Sequence, residues 1–307
     1  MVESASHHDN SPLLPTIKLY VRYLRLERNL SPNTIEAYRN DLAHLEAFMM
    51  RNNLKLENVT LEQLHTFAAS LHEYGITPRS QARVLSGVRS FFRFLVLDGV
   101  VESDPTELLE WPSLPEHLPV VLTLEEIDRI EDSIDLSKAE GARNRAIIEV
   151  LFSCGLRVSE LVNMKLSDLY LEDRVLLVRG KGNKERLVPV SNKAIADLKR
   201  WFFDRNVMKI KPGEDDYVFL NRRGAHLTRT MILIMVKRQA EEAGIKKTIS
   251  PHTFRHSFAT ALLQGGADLR SIQAMLGHEK IDTTLVYTHI SNEQLRKAIL
   301  EHHPRNI

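Results

Sequence analysis

Prolines at 112, 115 and 119, in Glu110-Trp-Pro-Ser-Leu-Pro-Glu-His-Leu-Pro119, interrupt the chain where no helix can continue. Each lacks a backbone N–H and fixes φ at about −65°, so residues 110–120 favour extended backbone and read as a semi-rigid linker. The linker separates a short tail (1–11) and a first domain (12–109) from a second domain (121–307). A chain of 307 residues is long enough for two such domains, each with its own core.

The first domain reads as all helical. Ser31-Pro32 is an N-cap followed by a first-turn proline, opening a helix to about Met50, and Thr77-Pro78 opens another ending near Asp98-Gly99. Past the linker, Thr123-Leu-Glu-Glu126 is a capping box. Helical patterning runs through Arg143–Cys154 and on from Val158, and Ser250-Pro251 starts a further helix. Arg174–Arg179 and Glu185–Val190 read as two strands around the turn Gly180–Lys184, with Pro189 restricted to a sheet edge or a strand end. The expected fold is mainly α: an N-terminal helical bundle, then an α+β domain with a small antiparallel sheet. No internal repeat is visible.

No apolar run approaches the roughly 18 residues that span a bilayer, so no membrane partner is expected. The N-terminus MVESASHHDN has no apolar core of the kind a signal peptide carries, which predicts a cytoplasmic protein. The single cysteine, Cys154, excludes an internal disulfide and is expected to be buried as a small hydrophobe.

The net charge of +1 does not itself point to nucleic acid, but the charge is uneven. Residues 1–116 hold 11 Lys+Arg against 15 Asp+Glu, leaving 30 against 25 for the remainder. Within the acidic first part, the helix from Thr77 sorts its residues at about 100° per residue. Val84, Leu85, Val88, Phe91, Phe92 and Leu95 share one side; Arg79, Arg83, Ser86, Arg89, Ser90 and Arg93 share the other. A solvated face ordinarily mixes signs, and this one carries no acid, so its arginines are read as a DNA-contacting surface.

The second domain carries a row of chemically telling residues: Arg157 in GLRVSEL, Lys181 in GKGNKERLVP, His252 and Arg255 in SPHTFRH, His278 in LGHEKIDTT, and Tyr287 in LVYTH. Attack on a phosphodiester spreads negative charge over non-bridging oxygens, and catalysis is mostly positioning plus electrostatic stabilisation. Arginine suits that task, because its planar fork donates two parallel hydrogen bonds and stays charged. Arg157, after a glycine turn at a helix start, and Arg255 are the candidates; a plain surface pair of Arg157 with Glu160 fits the sequence equally well. Lys181, in the hairpin turn, could protonate a departing oxygen. A tyrosine is a poor nucleophile at its ordinary pKa of about 10, and a cluster of cations would ease formation of its phenolate. His252 with His256 and His278 could instead suggest zinc. The glutamate that a zinc hydrolase needs beside the first histidine is Thr253 here, and Arg255 would repel a cation.

Those six residues, in that order and in those strings, resemble the tyrosine recombinase (phage integrase) family over nearly the whole chain. The ungapped spacing and the ending Glu301-His-His-Pro304 look most like its XerC/XerD branch, nearer XerD. The resemblance implies a SAM-like core-binding domain and a recombinase catalytic domain closing around duplex DNA. Tyr287 would attack the scissile phosphate to form a 3′-phosphotyrosyl link. Arg157 and Arg255 would clamp the phosphate with help from His278, Lys181 would be the general acid, and His252 would support proton transfer. It implies no metal, ATP or other cofactor. It implies four protomers on two duplexes with a roughly palindromic site, a Holliday junction, a second recombinase of XerC type and a role in resolving chromosome dimers. A last helix at about 291–301, opened by Ser291-Asn-Glu-Gln294, would dock on a neighbouring subunit. Whether an FtsK-type translocase acts on it stays open. A mobile-element integrase shares all six residues; a type IB topoisomerase, or a DNA-binding protein without catalysis, is the more distant alternative.

Overall fold

Serine and threonine caps followed by proline set the frame. The computed structural model describes residues 13–113, 120–180, 184–277 and 292–305. The chain divides into two units, residues 1–117 and 118–307.

The first unit is a helical bundle of α1 (Leu14–Leu26), α2 (Pro32–Arg51), α3 (Leu61–Glu73) and α4 (Pro78–Leu97). Ser31 and Thr77 cap α2 and α4 by accepting from the Thr34 and Ser80 amides, and Pro32 and Pro78 fill first-turn positions where an N–H has no partner. The apolar side of α4 is the one its periodicity gave: Val84, Leu85, Val88, Phe91, Phe92 and Leu95 are all buried, around Tyr20, Leu42, Leu45, Leu64 and Phe67. Gly87 lets α4 approach α2 closely, since a Cβ there would stand 2.9 Å from Cβ of Asp41. Asp41 is itself buried, and Arg83 is its ion-pair partner.

The second unit is built on α5 (Leu124–Asp132), α6 (Gly141–Ser153), the short α7 (Val158–Val162), α8 (Asn192–Asn206), α9 (Arg229–Glu242), α10 (Pro251–Gln264), α11 (Leu269–Leu276) and α12 (Asn292–His302). The capping box at Thr123–Glu126 is formed, as is one at Ser250–Thr253. Helix α6 is buried on nearly every side, with Ala146, Ile147, Ile148, Val150, Leu151 and Phe152 in the core and the polar Asn144 and Glu149 buried with them. Cys154 ends it, wholly buried, and burial pushes its thiol up to about 12. The sheet has three antiparallel strands in the order β1 (Leu169–Tyr170), β2 (Val175–Arg179) and β3 (Glu185–Pro189). Its register pairs Val175 with Pro189 and Arg179 with Glu185. Pro189 is thus the last residue of an edge strand, where a missing N–H costs nothing. The two-residue β1 has no period-2 signal of its own and was not expected.

Helix α12 packs on its own chain, with Ala298 and Ile299 buried against Phe258, Leu262, Ile272 and Met275. Beyond it His303 is enclosed between the rings of Phe152 and Phe258, at 5.0 and 5.6 Å. Arg305 reaches Asp128 at 2.5 Å, Glu149 at 3.0 Å and Glu131 at 3.3 Å.

Candidate active site

Helix C-termini leave their last carbonyls without intrahelical donors. At the end of α11 three consecutive carbonyls each accept from a different guanidinium. Met275 O takes Arg186 Nε at 2.7 Å, Leu276 O takes Arg255 Nη2, and Gly277 O takes Arg157 Nη2 at 2.9 Å. Gly277 ends the helix in the left-handed region, at φ 64°, as a glycine C-cap does. It immediately precedes His278.

Each arginine comes from a different element. Arg157 is the N-cap residue of α7, its backbone N–H donating to Glu160 Oε2 at 2.8 Å and its Nη1 to Glu160 Oε1 at 2.9 Å. Arg255, on the first turns of α10, is buried and donates from Nη1 to Gly155 O at 2.7 Å. Gly155 is required there: its φ is +57°, and a Cβ would lie 2.4 Å from the Phe258 ring. Arg186, on β3, is buried and meets Glu160 with both terminal nitrogens at 2.8 Å.

Two guanidinium groups therefore bond one carboxylate, and a third, Arg255, stands near enough to feel its charge. Burial, then repulsion from Arg157, lowers Arg255 to about 10. Burial raises Glu160, but Arg186 and Arg157 outweigh it and hold the carboxyl below its ordinary range. His252, exposed at the start of α10, is lowered by partial desolvation and then by Arg255, His256 and Arg157. These surroundings favour its neutral form, which can accept a proton. The result is a surplus of positive charge beside a neutral imidazole, a setting suited to a phosphodiester and the charge that develops on it.

Of the six residues singled out in sequence, Arg157, Arg255 and His252 come together here. Lys181, His278 and Tyr287 lie outside the described residues, as do the linker prolines 115 and 119. Arg157 makes the pair with Glu160 that the sequence allowed, and it also lies close to Arg255 and His252. Arg186 was missed. Its signal was the strand alternation, which puts it in phase with the buried Val188 and Val190 rather than on the exposed face.

In the first unit the arginines of α4 separate. Arg79 and Arg93 are exposed. Arg83 is exposed but bound to buried Asp41. Arg89 is turned to structural use, donating from Nη2 to Thr106 O and Leu109 O, both at 2.9 Å, and lying 4.7 Å from the Trp111 ring. These contacts correct the uniform basic face expected for this helix: the sequence pattern places a residue on a side, but not against the chain that returns over it.

Comparison with known proteins decides the family. The phage integrase family model matches residues 120–294, and the model of the phage integrase N-terminal SAM-like domain matches residues 17–99. The chain is a member of the phage integrase family. It is a tyrosine recombinase, an enzyme that cleaves and rejoins DNA. Among similar relatives, tyrosine recombinase XerD of Pseudomonas putida is 40% identical over 291 residues, covering 95% of this chain and 98% of the relative. Tyrosine recombinase XerC of Oceanobacillus iheyensis is 38% identical, covering 94% and 96%. The crystal structure of the XerH site-specific recombinase bound to a difH substrate, in a pre-cleavage complex, is 27% identical with TM-score 0.67, covering 92% of this chain and 82% of that one.

Proposed function

We propose that the chain is a site-specific recombinase of the XerD kind that resolves chromosome dimers, acting in the cytoplasm with a second recombinase of XerC type. The observation that carries the chemistry is the meeting of Arg157 and Arg255, remote in sequence, on the adjacent carbonyls of Gly277 and Leu276, which directly precede His278 in the chain. A phosphodiester bound there would meet two forks that remain charged, with neutral His252 alongside. Tyr287 would be the nucleophile, attacking phosphorus to give the 3′-phosphotyrosyl link while the 5′-oxygen departs with a proton from Lys181. His278 would add a hydrogen bond to the phosphate. Because one phosphodiester replaces another, the bond energy is kept for rejoining by the incoming 5′-hydroxyl.

The relatives' names support the partner: matches of nearly equal identity include both XerD and XerC proteins. The DNA-bound XerH structure supports a duplex substrate. Arg79 and Arg93 are the α4 residues offered to DNA, with Arg83 beside them and Arg89 withdrawn into the fold. Exchange of the last helix belongs to the same reading. The isolated chain docks α12 on its own α10 and α11, so exchange requires release of that contact.

A plasmid carrying two direct repeats of a XerC/XerD-type site tests this. Excision that needs both this protein and a XerC-type partner is the expected result. Efficient excision by this protein alone, at a site tied to a mobile element, would move it to the integrase alternative.

A further inference from the structure

We propose that Arg186 is a positioning residue for the phosphodiester chemistry: by occupying both oxygens of Glu160 it keeps the fork of Arg157 available to the scissile phosphate. The proposal rests on the reading of Arg157 and Arg255 as the phosphate clamp.

Arg186 is only 8% exposed and has no route to a bound phosphate, so it is not a catalytic residue. All of its donor nitrogens are committed: Nη1 and Nη2 to the two oxygens of Glu160 at 2.8 Å, and Nε to Met275 O at 2.7 Å. Glu160 in turn meets Arg157 twice, with Oε2 on its backbone N–H and Oε1 on its Nη1. Each carboxylate oxygen is therefore shared between the two arginines. Without Arg186, a buried carboxylate would have one cation left and would draw the whole fork of Arg157 onto itself. With Arg186 in place, Glu160 holds Arg157 by its backbone N–H and Nη1 alone and leaves Nη2 on Gly277 O, a neutral acceptor that a phosphate oxygen can replace.

The same side chain touches the other parts of the site. Its Met275 contact holds the end of α11, two residues before the Gly277–His278 junction. A Cβ on Gly277 would lie 3.4 Å from Arg186 Cδ, so the turn rests on the arginine stem. A Cβ on Gly180, the residue before Lys181, would lie 3.7 Å from Arg186 Nη1. A buried ion pair contributes little net stability, because desolvation offsets most of the attraction. Stability alone therefore does not account for an arginine here rather than an apolar residue in phase with Val188.

The test compares wild type, Arg186→Lys and Arg186→Met, with Tyr287→Phe as the blank. Covalent adduct formation is followed on XerC/XerD-type half-sites carrying either an ordinary scissile phosphodiester or a neutral methylphosphonate. Lysine keeps the charge and cannot span both Glu160 oxygens and Met275 O together. Rates are taken at saturating protein, with duplex affinity and melting temperature measured alongside. On the phosphodiester, Arg186→Lys should react about 100-fold more slowly than wild type at unchanged duplex affinity, the scale of loss for a misplaced group. On the methylphosphonate, which has no charge for Arg157 to neutralise, the gap should largely close. Equal slowing on both substrates, accompanied by lower affinity or melting temperature, would make Arg186 a plain fold residue and overturn the proposal. So would a wild-type rate for both variants. A wild type that forms no adduct on either substrate, with a XerC-type partner supplied and specific duplex binding present, would sink the phosphate-clamp reading itself, and the proposal with it.

Discussion

Arg157 Nη2 donates to the carbonyl oxygen of Gly277 at 2.9 Å, and Gly277 is the residue directly before His278. Arg255 does the same to Leu276. The negative end of the α11 dipole thus stands where an anion is expected, and the forks rest on it. A phosphate that enters has to replace only neutral acceptors, and its charged oxygens add an ion pair and a bidentate fit to the guanidinium fork that a carbonyl does not offer.

Arg157→Lys should therefore leave the fold intact, because Glu160 retains Arg186, yet remove the bidentate donor. The expected loss in covalent adduct formation is about 100- to 1000-fold, with duplex binding little changed. Retained cleavage in this variant would show that Arg157 does not stabilise the reacting phosphate.

On α4, Arg79→Glu and Arg93→Glu should each weaken duplex binding and reduce the slope of log K against log salt by about 1 per lost phosphate contact. Arg83→Glu is a different experiment. It sets a second acid against buried Asp41, whose carboxyl burial already raises, and should also cost about 1–3 kcal/mol of stability. Unchanged salt slopes for the Arg79 and Arg93 variants, measured by titration, would remove α4 from the DNA surface.

Burial, then Arg305, lowers His303 to about 3. The unfolded chain takes up a proton near pH 6.5 that the folded one refuses, so this group's contribution is complete above pH 6.5. It is lost as pH falls from there towards 3, by about 1.4 kcal/mol per pH unit. Glu131, raised to about 7 by burial and then by Glu149, works in the opposite sense: the stability its protonated form gives is present below about 4.5 and lost as pH rises through 7. Denaturant titrations at pH 7 and pH 5 separate the two. His303→Phe should lose less stability than wild type on acidification, and equal losses would refute the assignment.

Lys181→Ala should slow cleavage of an ordinary site. It should recover on a 5′-bridging phosphorothioate, whose sulfur leaves without needing a proton. Failure to recover would give Lys181 another role.

The helix starts at Ser31, Thr77, Thr123 and Ser250 were legible because capping is local: the side chain and the amide it satisfies are three residues apart. The hairpin was legible for the same reason, and six short strings carried the family. What escaped was long-range. Nothing near Arg89 in sequence announces that Thr106 and Leu109 will present their carbonyls to it, and Asp41 lies a full helix away from Arg83. Arg305 finds Asp128, Glu131 and Glu149 across most of the second unit. The joining of Arg157, Arg186 and Arg255 through Glu160 and the end of α11 likewise depends on the folded packing of α7, β3, α10 and α11.

The most direct measurement is covalent trapping on a nicked XerC/XerD-type site, comparing wild type with Tyr287→Phe on a denaturing gel. A protease-sensitive, DNA-linked band in wild type, abolished by the phenylalanine variant and present only when the partner recombinase or its half-site is supplied as needed, is the predicted result. A band that persists in Tyr287→Phe, or none from wild type with its partner and specific duplex binding present, would contradict the phosphotyrosine mechanism.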